Sequence, residues 1–411
     1  MAEKERRRKR GCFGCFVDIF ILLIILAAAY IGIGYAKGYF KEMIPANTTP
    51  RDFKVFESVP FEEISIEEGE LADKYYYSRL TKDEKIIYKE ILQGVRNCKE
   101  EIYVHSNIPE TVNWVYGRVL YDCPELFWCS GNAETFAKGS YCVLKCEYLY
   151  TGDEKTSREQ QIENAAAVCL QGMDAGFSEY EKIKYIYEYI IHTTDYNEEA
   201  SDNQNIYSVL VNRQSVCAGY ARATQYLLER AGIYVTLMTG TVESGAKGTQ
   251  NHAWNLVRCD GEYYYVDATW GDPVFSSERE MPDGMTDIYY DYLCCNDAEL
   301  FRTHTLDEDI EMPPCTSDKY NYYKMNGRYY GVYINEEILA AMKQDIQNKA
   351  EKSVFKFASS EAYEEAVNGI EDNAVREAAQ FLAGSYGLSQ VHYYYMESEN
   401  LNKITVYWMY E

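Results

Sequence analysis

The first strong pattern along the chain is an almost unbroken apolar run from Phe16 to Ala36, preceded by Lys4, Arg6, Arg7, Arg8, Lys9 and Arg10. Its 21 residues are long enough to cross a bilayer as a helix. The basic flank predicts that residues 1–15 stay cytoplasmic and that the body lies outside the plasma membrane, on a single-pass anchor. The rival is a cleaved signal peptide, because Ala27-Ala28-Ala29 resembles a cleavage site. The apolar run continues past it through Ile31 and Ile33, which favours the anchor. Residues 37–72 contain Pro and Glu without clear periodicity and predict a linker.

From Ala72 to Tyr103, Ile86, Ile87, Ile91, Leu92 and Val95 recur at helical spacing. A second helix carries Trp114, Val115 and Val119. Tyr141–Tyr150 alternates as a strand, with Asp153 and Glu154 at its exit, and residues 158–173 read as helix. Residues 178–192 form an amphipathic helix, with Ser178 as N-cap and Glu181 completing a capping box. A polar loop, 193–205, precedes a long helix that starts at Cys217 and ends near Gly232. Ile233–Thr239 is a strand and 240–250 a polar, Gly-containing loop. HAWNLVRC and EYYYVDATW then alternate as two strands about the turn dipeptide Asp260-Gly261, which predicts a hairpin. Residues 273–316 look irregular. The chain closes with a hairpin about Asn326-Gly327, two or three helices within 335–387, and a hairpin over 391–410. The resulting division is an N-terminal α+β region (73–165), a central core (166–315) and a C-terminal α+β accessory domain (316–411), where nothing suggests catalysis.

Composition sharpens this outline. At 411 residues, 47% of them hydrophobic, the chain has material for more than one core. The 41 tyrosines point to many half-buried strand positions without naming a function. A net charge of −25 argues against nucleic acid as a partner, since phosphate binding needs clustered Lys and Arg. Of the 13 cysteines, Cys12 and Cys15 precede the apolar run. Disulfides among the rest are permitted outside the cell, with connectivity left open. Cys123/Cys129, Cys142/Cys146 and Cys294/Cys295 are close in sequence but lack CxxC pairs and His neighbours, so no zinc site is expected, nor any cofactor.

Three residues in order carry chemistry. Cys217 opens a helix, where the dipole and free N–H groups favour a thiolate. His252 lies 35 residues on and Asp267 a further 15, on the two strands of the predicted hairpin. With Asp260-Gly261 as the turn, residues pair when their numbers sum to 521, so Trp254 faces Asp267 and His252 sits diagonally. His252 and Asp267 can then share a face. This suits a cysteine nucleophile, a histidine base and a carboxylate that fixes the histidine tautomer. Cys217 alone would more often be a buried small hydrophobe; the hairpin makes the trio stronger than its members. Trp254, Trp270, Tyr220 and Gln214 are the candidates for shaping the cleft or contacting substrate. Gln214 and Asn212 are candidates for a second oxyanion donor beside the Cys217 N–H. Asp195, Tyr196 and Asp272 lie near the motifs. His192 reads as a helix-end cation, and His105, His304 and His392 have no partner in the sequence.

SVCAGYA (Ser215–Ala221), NHAWN (Asn251–Asn255) and the stretch ending VDATWGDP (Tyr265–Pro273) resemble the three motifs of the transglutaminase-like superfamily of cysteine acyltransferases and proteases. DCPELFWCS (Asp122–Ser130) also resembles the region before this domain in bacterial proteins. The resemblance covers about residues 75–300. It departs at Asn212-Arg213-Gln214, where relatives often have a glycine. It implies an α+β, papain-like fold with the nucleophile helix packed on an antiparallel sheet. The implied activity is cleavage or transfer at peptide or isopeptide amides through a thioester, with hydrolysis favoured and crosslinking as the sister outcome. Protein or peptide, including cell-wall peptide, is the expected substrate class, and no metal is implied. The alternative is a catalytically silent binding or scaffold module on the same fold.

Overall fold

The computed structural model describes residues 59–244, 248–272, 288–307 and 311–410. The apolar run Phe16–Ala36 lies outside them. Among the described residues no helix is long and apolar enough to cross a membrane.

The first long helix, α1 (Lys82–Arg96), starts at a capping box between Thr81 and Glu84 and buries Ile87, Ile91, Leu92 and Val95. It packs with β1 (Ile102–Val104) and α2 (Pro109–Asp122). Strands β2 (Cys129–Lys138) and β3 (Tyr141–Tyr148) complete an antiparallel sheet in the order β1-β3-β2. Strand β2 carries no predictive pattern because it is an edge with mostly exposed or half-buried side chains, so its residues need not alternate. Asp153 and Glu154, expected at a strand exit, form the acidic first turn of α3 (Gly152–Gln171), where they suit the helix dipole. Ile66 and Leu71, in the stretch read as linker, are buried.

Helix α4 (Glu179–Thr193) begins at the Ser178–Glu181 capping box and leads through a loop to α5 (Cys217–Arg230). The antiparallel sheet beside α5 contains β4 (Val235–Ser244), β5 (Gly248–Cys259), β6 (Glu262–Val266), β7 (Leu293–Cys295) and β8 (His304–Leu306), in the order β8-β4-β5-β6-β7. The β5–β6 hairpin has the expected register, from Cys259 opposite Glu262 to Asn255 opposite Val266. Three expectations here are corrected. Most of the predicted loop 240–250 is strand, because β4 and β5 pair out to Ser244 and Gly248. Part of the region read as irregular supplies β7 and β8, short strands recruited by pairing to a preformed sheet. And β6 stops at Val266: Asp267 caps a one-turn helix, α6 (Ala268–Gly271), by accepting from the Thr269 and Trp270 amides.

The C-terminal region has its own sheet, β9-β10-β12-β11, formed by Tyr329–Tyr330 (β9), Lys352–Phe357 (β10), Tyr393–Ser398 (β11) and Lys403–Trp408 (β12). Helices α7 (Asn335–Gln347), α8 (Ser360–Gly369) and α9 (Val375–Tyr386) cover it. The β11–β12 hairpin is as predicted. The hairpin about Asn326-Gly327 is not present. Asn321 instead caps a helical turn, Tyr322–Met325, which is followed by Gly327 at φ +64°, and β9 pairs in parallel with β10. One buried apolar cluster runs from Ile66 to Tyr320 and joins the N-terminal region to the central core, while the C-terminal region packs around Phe355, Ile404 and Val406.

Candidate active site

The loop before α5 is held by two short parallel strands, Asp195–Tyr196 against Gln214–Ser215. Ser215 Oγ donates to the Asn203 carbonyl at 2.7 Å and lies 2.7 Å from Ser208 Oγ. Gly219, one turn into the helix, sits so close to this network that a Cβ there would fall on Ser215 Oγ. The glycine of SVCAGYA is thus a space requirement, and it seats the helix tip that carries Cys217. Arg213 takes the left-handed conformation, φ +62°, at the turn that leads into Gln214–Ser215. Its guanidinium donates to Thr193 Oγ1 (3.1 Å) and Tyr189 Oη (3.3 Å), contacts that hold the unusual backbone in place.

Cys217 is the first residue of α5 and is half-buried. Its thiol is close enough to His252 to act on the imidazole's charge. His252 Nε2 donates to Asp267 Oδ2 at 2.7 Å, which leaves Nδ1 for the thiol. Asp267 Oδ1 accepts from the amides of Thr269 (2.9 Å) and Trp270 (3.1 Å). The helix and the sheet are tied together by Asn255, whose Nδ2 donates to the Ala221 carbonyl at 2.9 Å. That contact explains the final residue of NHAWN.

The pair is buried, with His252 at 5% and Asp267 at 1% exposure. Burial alone would lower the pKa of His252. The Asp267 charge and hydrogen bond, together with Cys217, outweigh it and raise the value from 6.5 to about 10. Burial alone would raise the pKa of Asp267; the hydrogen bonds and charges of His252 and His304 hold it below the usual carboxylate range instead. The resting arrangement therefore favours imidazolium beside carboxylate.

The predicted substrate-side residues separate. Trp254 is 0% exposed and stacks on His252 with ring centroids 6.0 Å apart. Tyr220 is also 0% exposed, with its hydroxyl donating to Asp272 Oδ2 at 2.8 Å and lying 2.9 Å from the Thr194 carbonyl. Both are buried behind the site, with their faces consumed by packing. Asp272 is buried with Tyr220. Trp270 is half-buried, edge-on to His252 at 6.2 Å, and Gln214 is exposed, so both stay available to a substrate. Tyr196 is half-buried, with its pKa raised by burial and then by the nearby Cys217.

Sequence reasoning missed His304. Its Nε2 lies 3.1 Å from the same Asp267 Oδ2 that His252 uses. It stands on a three-residue strand whose pairing has no sequence signature. The ligand atoms of His252, Asp267 and His304 lie within 4.8 Å of one another and form one of two sets among the described residues, with Glu179, Cys259 and Asp260, whose spacing would allow a metal ion. The two hydrogen bonds to Oδ2 already engage the atoms of the first set with each other.

The span that holds Cys217, His252 and Asp267 also resembles known proteins. Residues 167–268 match the profile described as the transglutaminase-like superfamily. The kyphoscoliosis peptidase of Mus musculus is 26% identical over 136 residues, covering 30% of this chain and 20% of that protein. The Homo sapiens protein of the same name is 24% identical over 136 residues with the same coverage. The chain thus spans about a fifth of the length of these curated relatives. A solved transglutaminase structure aligns over 45% of this chain and 53% of its own, with a TM-score of 0.26 and 12% identity.

Proposed function

We propose that the transglutaminase-like core of this chain is a cysteine hydrolase or acyltransferase acting on peptide or isopeptide amides. One observation carries the reading: His252 is hydrogen-bonded to Asp267 at 2.7 Å and lies beside Cys217 at the tip of α5, which acts on its charge. With its proton transferred to His252, the Cys217 sulfur attacks an amide carbonyl. The Cys217 N–H, at the helix tip, faces the developing oxyanion. The imidazolium then gives its proton to the departing amine, and a thioester remains on Cys217. Water releases the acid with regeneration of the thiol; a second amine releases a new amide. Hydrolysis is the favoured outcome, because water is abundant outside a cell and no amine-acceptor site is evident among the described residues. The name peptidase on the matched relatives supports the same choice.

The full chain, incubated with a peptide library and with a cell-wall digest, is expected to gain the mass of an acyl fragment at Cys217. No adduct at Cys217 under any condition, with peptides still retained on the protein, would turn the reading into that of a silent binding module.

The body is proposed to lie outside the membrane, held by Phe16–Ala36. Support comes from the basic residues that precede this run. Protease added to intact cells is expected to trim the body and spare residues 1–15; a body that survives intact reverses the orientation.

A further inference from the structure

We propose that His304 is a positioning residue for the reaction: a neutral, Nε2-protonated imidazole that holds the Asp267 carboxylate aimed at His252. The inference rests on the catalytic reading above and extends it to a fourth side chain. Asp267 is a carboxylate with room for about four donors. Oδ1 takes two backbone amides, and Oδ2 takes His252 and His304. A carboxylate only accepts, so the His304 Nε2 facing it must carry the proton. In a neutral ring Nδ1 is then an acceptor, and the Thr303 hydroxyl lies 2.8 Å from it. Tyr292 Oη is 3.1 Å from that same Thr303 oxygen. Burial pushes His304 toward the neutral form, helped by the charge of His252 and opposed by Asp267 and by the Leu300 carbonyl.

The ring has little freedom. It is 2% exposed and lies between Trp254 and Trp270, each with its ring centroid 5.0 Å away. Its strand reaches this place because Gly240 has no side chain: a Cβ there would strike the Thr305 carbonyl and crowd the Trp254 ring. The hydrogen bond to Oδ2 is thus built from a rigid donor on one strand to a carboxylate beyond the end of another. Without that donor one lone pair of Oδ2 is bare in a dry site, and only His252 and the two amides at Oδ1 would orient the group. The orientation of His252, and through it the proton transfer with Cys217, would loosen.

The test uses the full chain and reads alkylation of Cys217 by iodoacetamide, located by peptide mass spectrometry. His304→Phe keeps an aromatic ring and deletes the donor; His304→Gln places an amide N–H near the Nε2 position. The Phe variant is expected to label about tenfold more slowly than wild type, and the Gln variant to recover most of the rate. Equal rates for Phe and wild type, or a Gln variant as slow as Phe in a protein of unchanged melting temperature, would overturn the proposal. Histidine 15N NMR on the wild type gives a readout independent of the variants' folding. His304 is expected to show the neutral Nε2–H tautomer, and an Nδ1–H tautomer ends the idea. If wild-type Cys217 labels no faster than the other thiols, the catalytic reading itself falls and takes this one with it. Fast wild-type labelling combined with an indifferent His304→Phe variant sinks the His304 role alone.

Discussion

Iodoacetamide at pH 6 is expected to label Cys217 about a hundredfold faster than any other described cysteine, and His252→Ala to erase the difference. An ordinary thiol with a pKa of about 8.5 is only about 0.3% thiolate at that pH, so reactivity there reports an ion pair. The background is low for a structural reason. The other ten described cysteines are Cys98, Cys123, Cys129, Cys142, Cys146, Cys169, Cys259, Cys294, Cys295 and Cys315, all free thiols. Burial pushes each of them up, Cys146 to about 11 and Cys169, Cys259 and Cys315 to about 12. Cys217 instead lies beside a histidine whose protonated form is stabilised by a buried carboxylate. Because that histidine is raised above 6.5, the charged partner persists through neutral pH and is lost only as the pH climbs toward 10. Cys217→Ala should lower any turnover by about a thousandfold or more, with the fold intact. Slow, uniform labelling of all thiols would instead support a silent module.

The second large effect concerns the join between the central core and the C-terminal sheet. Asp291→Ala is expected to destabilise the protein by about 3–5 kcal/mol at pH 7, read from urea unfolding. Asp291 belongs to a short 3-10 turn of the core and is 3% exposed. Lys356 on β10 donates to its Oδ1 at 3.1 Å, Lys403 on β12 donates to Oδ2, and Tyr323 Oη donates to Oδ2 at 3.1 Å. Both lysines are buried, so deleting the carboxylate strands two ammonium groups away from water. Burial would raise the pKa of Asp291; Lys403 and Lys356 reverse this and hold it at about 2. A depressed carboxylate stabilises fully above its unfolded value of about 3.8 and loses that contribution as the pH falls toward 2. The wild type should therefore weaken across that acid window while the variant changes much less. Replacing all three charges by apolar residues of similar size should recover most of the loss, since the burial of charge is then removed with its partners. A change below about 1 kcal/mol for Asp291→Ala would mean that water reaches the triad and screens it. The turn also touches the catalytic region, because the Asp267 amide donates to the carbonyl of Tyr292, the next residue.

Local patterns predicted local structure well. Thr81, Ser178 and Asn296 stand at helix starts with a glutamate three residues on, and each forms a capping box, as the pattern predicts at Ser178. The Asp260-Gly261 turn set the β5–β6 register, and with it the approach of His252 to Asp267. Asn326-Gly327 shows the limit of such reading. The same kind of dipeptide terminates a helical turn there, because Asn321 upstream caps that turn and β10 draws the following residues into parallel pairing.

The sequence by itself determined the order of chemistry along the chain: a cysteine at a helix start, a histidine on one strand, an aspartate at the end of its neighbour, and a hairpin whose register lets the last two meet. These depend on separations of a few residues, where propensity and turn geometry act directly. Only the tertiary structure decided that Trp254 and Tyr220 are buried behind the site, that β7 and β8 join the sheet, that Asp291 meets two lysines more than sixty residues away, and that His304 shares the carboxylate of Asp267. Those facts arise from the packing of segments distant in sequence, where burial and shape choose the partners and the one-dimensional pattern leaves no mark.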